Sequence, residues 1–194
     1  MRLFFALWPD AVARSELAAA GAAARVDRPG RVVRAADLHM TLAFLGEVAP
    51  ERLPELIAIG AALPWAPTIL RIDRAGFFSR GGILWLGPAR TPEVLVAAVG
   101  ELQARLRAVG LRIEDRPFAA HVTVARNAEG CRPGLLAVPV LWRADTFTLC
   151  ASAARPTAAA GAAAPRRSAG SAYRVVWRCD LPEDMGRPAA DRVV

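Results

Sequence analysis

Only two histidines occur in the 194 residues, and both open the same short pattern. His39-Met40-Thr41-Leu42 recurs as His121-Val122-Thr123-Val124, 82 positions later, and each unit sits in an apolar run of the kind that forms a strand. Side chains two apart in a strand share a face and stand ~6.6 Å apart. His39 and Thr41 therefore share one face, as do His121 and Thr123, while Met40, Leu42 and Phe44, and Val122 and Val124, are expected to enter the core. Imidazole beside hydroxyl suits a phosphate, because the hydroxyl donates to a non-bridging oxygen and the imidazole moves a proton near neutral pH. Two such units suit in-line displacement at phosphorus, one imidazole deprotonating the attacking water and the other protonating the leaving oxygen. A single histidine in an apolar strand is more often a satisfied, half-buried residue. One copy of the pattern in each half is what favours chemistry. Zinc binding is the rival role, but no carboxylate or cysteine stands nearby at ligand spacing, and zinc normally takes three or more protein ligands.

Strands and helices alternate along the chain that must position these units. Leu3 to Trp8 reads as a buried strand closed by Pro9, and Asp10 caps an Ala-rich helix reaching to about Arg25. Strand is expected over His39 to Leu45, a turn at Gly46, and helix from about Pro50 to Leu63. Ile69 to Phe77 and Ile83 to Leu86 flank Ser79-Arg80-Gly81-Gly82, a hairpin turn. Thr91-Pro92-Glu93 predicts a helix start with Thr91 as cap, running to Val109 with Gly110 as its stop. Further strands are expected at Leu111 to Glu114, His121 to Arg126, Thr146 to Ala151 and Tyr173 to Cys179. The stretch 153–170 lacks periodicity and large apolar residues and reads as a long flexible hairpin loop, whose Arg155, Arg166 and Arg167 are open to contact with a phosphate backbone but are more simply explained as solvated. The tail 182–194 is expected to be poorly ordered.

Composition bounds the function. With 54% hydrophobic residues the chain can bury a core, and its length predicts a single domain. The 25 cations against 18 acids leave a formal charge of +7, which favours phosphate-bearing ligands. All 25 cations are Arg and 42 residues are Ala, so part of that charge reflects GC-rich codons. Cys131, Cys150 and Cys179 show no metal spacing and read as free thiols of a reducing compartment. The opening apolar run is too short for a leader and ends at Trp8-Pro9-Asp10, and no stretch is long enough to span a membrane. A cytoplasmic protein with no membrane partner is expected, and the lack of a coiled-coil pattern predicts a monomer.

The blocks Arg2-Leu3-Phe4-Phe5-Ala6, Leu38-His39-Met40-Thr41-Leu42-Ala43-Phe44-Leu45-Gly46, Gly82-Ile83-Leu84-Trp85 and Pro117-Phe118-Ala119-Ala120-His121-Val122-Thr123-Val124-Ala125-Arg126 together resemble the two-histidine (2H) phosphoesterase superfamily. Within it, they resemble the RNA 2',3'-cyclic phosphodiesterase, or 2'-5' RNA ligase, family. The resemblance covers residues 1–181 and implies an α+β, two-lobed, pseudo-symmetric fold, with antiparallel sheets flanked by helices around a central cleft. It also implies an enzyme without metal or organic cofactor. Such an enzyme hydrolyses 2',3'-cyclic phosphate at RNA or nucleotide ends to 2'-phosphomonoesters, and can join a 5'-hydroxyl to the cyclic phosphate as a 2'-5' linkage. Carried over, His39 is the proton donor to the leaving 3'-oxygen and His121 the proton acceptor from water, with Thr41 and Thr123 donating to phosphate oxygens. Arg126 matches a family arginine, yet strict alternation puts it on the face opposite His121, so a bend that turns it to the phosphate and a surface role both remain open. Two features depart from the family: Ala120 stands where Pro commonly precedes the second histidine, and the Ala/Arg insert is longer than usual. Small cyclic nucleotides such as ADP-ribose cyclic phosphate are an alternative substrate class, and a non-catalytic RNA-binding module is the alternative of another kind.

Overall fold

The computed structural model describes residues 1–25, 30–128, 133–152 and 171–179. The insert 153–170 with its three arginines, Cys131 and the tail 182–194 lie outside the described residues. In order come β1 (Arg2–Leu7), α1 (Ala11–Ala24), β2 (Arg31–Val32), β3 (Met40–Glu47), α2 (Leu53–Ala61), β4 (Thr68–Phe78), β5 (Ile83–Gly87) and α3 (Glu93–Ala108). The second half adds β6 (Val122–Arg126), β7 (Gly134–Ala144), β8 (Phe147–Ser152) and β9 (Tyr173–Arg178).

The strands form one antiparallel sheet in the order β7-β4-β5-β6-β3-β1-β8-β9, with β2 paired to β6. Its two halves meet through a single residue pair, Met40 with Val122. Each of these residues directly follows a histidine, so the seam of the sheet is where the two patterns meet. The halves repeat one another in register: Leu7 pairs Met40 as Leu86 pairs Val122, and Ala6 pairs Thr41 as Trp85 pairs Thr123.

The helices interlock the halves. Helix α1 packs behind β5, β6 and β7, while α3 packs behind β3 and against α2. At Gly21 the helix lies so near β6 that an added Cβ would sit 2.9 Å from the Val124 Cβ. Asp10 caps α1 as expected, its Oδ1 accepting from the Val12 and Ala13 amides at 2.8 and 2.9 Å. Among the described residues no helix is long and apolar enough to cross a membrane.

Several expectations need correction. Gly46 does not turn the chain but stays within β3 at φ 71°, opposite Leu3, in a bulge that leaves Leu45 unpaired. Thr91 is not the cap of α3: Pro92 occupies that position, with no side-chain hydrogen bond, and the helix starts at Glu93. Leu111 to Glu114 is not a strand. The left-handed Gly110 reverses the chain so that the Leu111 amide returns to the Leu106 carbonyl, and Arg107 Nη2 takes up the Glu114 carbonyl at 2.8 Å. Strand β7 was not expected, because Pro139 interrupts an apolar run without alternation. As an edge strand it tolerates the missing amide donor.

Candidate active site

Both histidines are held by the same local device. Nδ1 of His39 lies 2.7 Å from the Asp37 carbonyl, and Nδ1 of His121 lies 2.7 Å from the Ala119 carbonyl, each two residues upstream. A carbonyl only accepts, so Nδ1 carries the hydrogen in both rings and Nε2 is left to exchange a proton. The antiparallel register about Met40 and Val122 sets His39 alongside Thr123 and Thr41 alongside His121. All four side chains are half-buried at the seam.

Alternation then breaks at matching places. In β3 the pairing with β1 passes from Ala43 to Thr41 and skips Leu42, and in β6 the pairing with β5 passes from Ala125 to Thr123 and skips Val124. Each skipped residue is a bulge, so two consecutive side chains turn inward: Leu42 and Ala43 are buried, as are Val124 and Ala125. The residue three beyond each threonine is thereby returned to the threonine's face. Phe44, expected in the core, is 45% exposed and lines the cleft. Arg126, which strict alternation sends away, lines the same cleft as His39 and Thr41. The bulge carbonyls find partners elsewhere, Leu42 O accepting from the chain's single glutamine, Gln103, and Val124 O from the Val33 amide.

Aromatic rings encase the first imidazole. The ring centroids of Trp8, Phe4 and Tyr173 lie 5.0, 5.1 and 4.9 Å from that of His39, whereas His121 meets Phe78 edge-on at 5.3 Å. Burial therefore lowers the pKa of His39, only partly countered by the Asp37 carbonyl, and the positive charges of Arg126 and His121 lower it further. His121 is lowered for the same first reason, burial, with Arg126 again adding to it. Both rings are thus pushed toward the neutral form in the free protein, and an arriving anion would restore their affinity for a proton.

Asp37 was not singled out by its sequence, although it stands two before His39. Its carboxylate is buried, with Oδ1 accepting from Ser171 Oγ and the Ala172 amide at 2.8 Å each, and Oδ2 from Arg34 Nε at 2.9 Å. Burial alone would raise its pKa, but the bonds from Ala172, Ser171 and Arg34 outweigh this and hold it below the usual carboxylate value. It thereby fastens the start of β9, and with it Tyr173, to the turn that carries His39. Only the spatial meeting of positions 37 and 171–172 reveals that role.

A cavity of about 1200 Å³ opens on this face. His39, Thr41 and Arg126 line it, while His121 and Thr123 lie across the seam from it. Ser152 and Ala172, which flank the insert 153–170, also line it. Among the described residues no group of three His, Cys, Asp or Glu side chains is arranged to hold a metal ion, and Cys150 and Cys179 are buried. The arrangement can bind an anion against two hydroxyls and a guanidinium and move protons on either side of it.

Comparison with known proteins gives concordant results. A family model described as "LigT like Phosphoesterase" matches residues 7–85. The RNA 2',3'-cyclic phosphodiesterase of Escherichia coli (strain K12) is 34% identical over 127 residues, 66% of this chain and 72% of that protein. The enzyme of the same name from Thermus thermophilus is 32% identical, covering 98% of this chain and 95% of that protein. Among solved structures, Escherichia coli LigT complexed with 3'-AMP superposes with a TM-score of 0.76 at 30% identity, over 91% of this chain and 95% of that one.

Proposed function

This chain belongs to the LigT-like phosphoesterase family, and from that premise we propose that it hydrolyses 2',3'-cyclic phosphates at the ends of RNA or nucleotides to 2'-phosphomonoesters. The observation that carries the reading is the pair of imidazoles at the Met40–Val122 seam, each with Nδ1 tied to a carbonyl and Nε2 left for proton transfer. The cyclic phosphate lies between them, with the Thr41 and Thr123 hydroxyls donating to its non-bridging oxygens and the Arg126 guanidinium balancing its charge.

The steps follow from that placement. The phosphate's charge raises the proton affinity of both rings, and the roles carried over from the family resemblance give the proton on Nε2 to His39 and leave His121 neutral when substrate is bound. His121 Nε2 takes a proton from water as its oxygen attacks phosphorus in line with the 3'-oxygen. The bond from phosphorus to the 3'-oxygen breaks, and His39 delivers its proton to that oxygen. The products are a 2'-phosphate and a free 3'-hydroxyl, and exchange with solvent returns both rings to their starting states. With a 5'-hydroxyl in place of water, the same displacement joins two ends through a 2'-5' linkage. No step calls on a metal or organic cofactor.

The test is product identity from a nucleoside 2',3'-cyclic phosphate with a chelator present, comparing wild type with His39→Ala and His121→Ala. A 2'-phosphate that survives EDTA and falls by about 10²–10⁴-fold in each variant supports the reading. A 3'-phosphate product would reverse the leaving group and the acid–base geometry. Turnover untouched in either variant would overturn the two-histidine mechanism, and RNA affinity without any turnover would leave a binding module. Preferential turnover of ADP-ribose cyclic phosphate would shift the substrate class instead.

A further inference from the structure

We propose that the arm of the cavity running from Thr41 to Phe44 and Arg2 holds the base of the nucleotide adjacent to the one bearing the cyclic phosphate, so that this protein favours oligonucleotide ends over mononucleotides. The proposal rests on the phosphodiesterase reading for the position of the phosphate.

Phe44 stands three residues beyond Thr41, ~10 Å further along the same strand. Its neighbours Ala43 and Leu45 are buried, yet its own ring is 45% exposed, because the Leu42 bulge turns it outward. Among the described residues it belongs to neither buried core cluster, and it forms part of the cavity wall. The Arg2 guanidinium carbon lies 4.9 Å from the ring centroid. An exposed aromatic face joined to a cation in an open groove is how proteins hold single-stranded nucleic acid, the ring taking a base and the cation the backbone or a second stacking surface. The volume agrees, since about 1200 Å³ exceeds the roughly 300–1,000 Å³ typical of a pocket for one small ligand. From an RNA 3' end the chain can continue only toward its 5' neighbour, so the second base in such a groove is that neighbour's. The matching position of the other half carries Arg126, so the two bulges present one cation to the phosphate and one aromatic surface beyond it.

The test measures binding of the two products, a nucleoside 2'-phosphate and a dinucleotide ending in a 2'-phosphate, so it does not depend on turnover. Wild type should bind the dinucleotide more tightly. Phe44→Leu, apolar but without a ring face, should weaken the dinucleotide by roughly 5- to 100-fold, the loss of one stacked base, and leave the mononucleotide unchanged. Phe44→Trp should retain the preference. Equal weakening of both ligands would place the terminal base on Phe44 and overturn the proposal, as would equal wild-type affinities or no effect of Phe44→Leu. Turnover of the mononucleotide cyclic phosphate, measured separately, reports on the phosphodiesterase reading alone.

Discussion

Replacing Asp37 by Ala tests how the first histidine is held. The substitution removes one acceptor of the Ser171 hydroxyl and Ala172 amide, and a second that takes the Arg34 guanidinium. Arg34 is half-exposed and turns to water at little cost, since pairs of that kind are worth about 0–1 kcal/mol. The hydroxyl and amide meet a carboxylate that is only 7% exposed, and each stranded donor costs about 1–3 kcal/mol, less where water replaces the acceptor. The net loss expected is about 2–3 kcal/mol, which for a domain of this size lowers the melting temperature by about 4–12 °C. Asp37→Asn retains an acceptor for Ser171 and Ala172 and should lose about 1 kcal/mol. Acid supplies a second signature. The folded-state pKa of Asp37 lies below its ordinary value of 3.8, so its contribution is complete above that value and is lost as the pH falls through the folded one. The stability gap between wild type and Asp37→Asn should therefore shrink below about pH 4. Turnover should fall in Asp37→Ala, because Tyr173, which packs on the His39 ring, is anchored through these bonds. Calorimetry at pH 7 and pH 3 beside a turnover assay reads all three effects. A wild-type melting temperature for Asp37→Ala, or a gap that persists unchanged at pH 3, would refute this account.

Other outcomes follow from the same geometry. Removing the cation in Arg126→Ala lifts a charge that depresses both imidazoles, so the alkaline limb of kcat/KM should move to higher pH while affinity for substrate falls. A limb that stays in place or moves to lower pH would remove Arg126 from contact with the pair. An added Cβ at Gly76 would run into the Trp85 indole, so Gly76→Ala should cost about 1–3 kcal/mol. Turnover should fall with it, because Trp85 packs on Phe78 and Phe78 on His121. Gly100→Ala, inside α3 with no atom within 4 Å of the new methyl, should instead stabilise by about 0.4–1 kcal/mol in the same melting assay.

The residues of the chemistry were legible because they are local patterns. Two histidines in one repeated unit mark themselves as candidates for proton transfer without a fold, and period-two spacing puts each beside its threonine. The helix cap at Asp10 and the stop at Gly110 are legible for the same reason, since both satisfy hydrogen bonds within one turn of chain. The faces of Phe44 and Arg126 are not legible in the sequence, because a bulge is not a property of one strand. It arises where β3 must pair with β1, and β6 with β5, with one residue to spare, and that register exists only once the sheet is assembled. Strand β7 is not legible in the sequence because Pro139 is acceptable only at an edge, and which strand lies at an edge is again a fact of the whole sheet. Asp37 depends on a partner 134 positions away. The amino-acid order alone determined which groups are the candidates to move a proton at a phosphate. Pairing between distant strands decided which other side chains share their face, because each unpaired residue in a ladder reverses the side on which every later one stands.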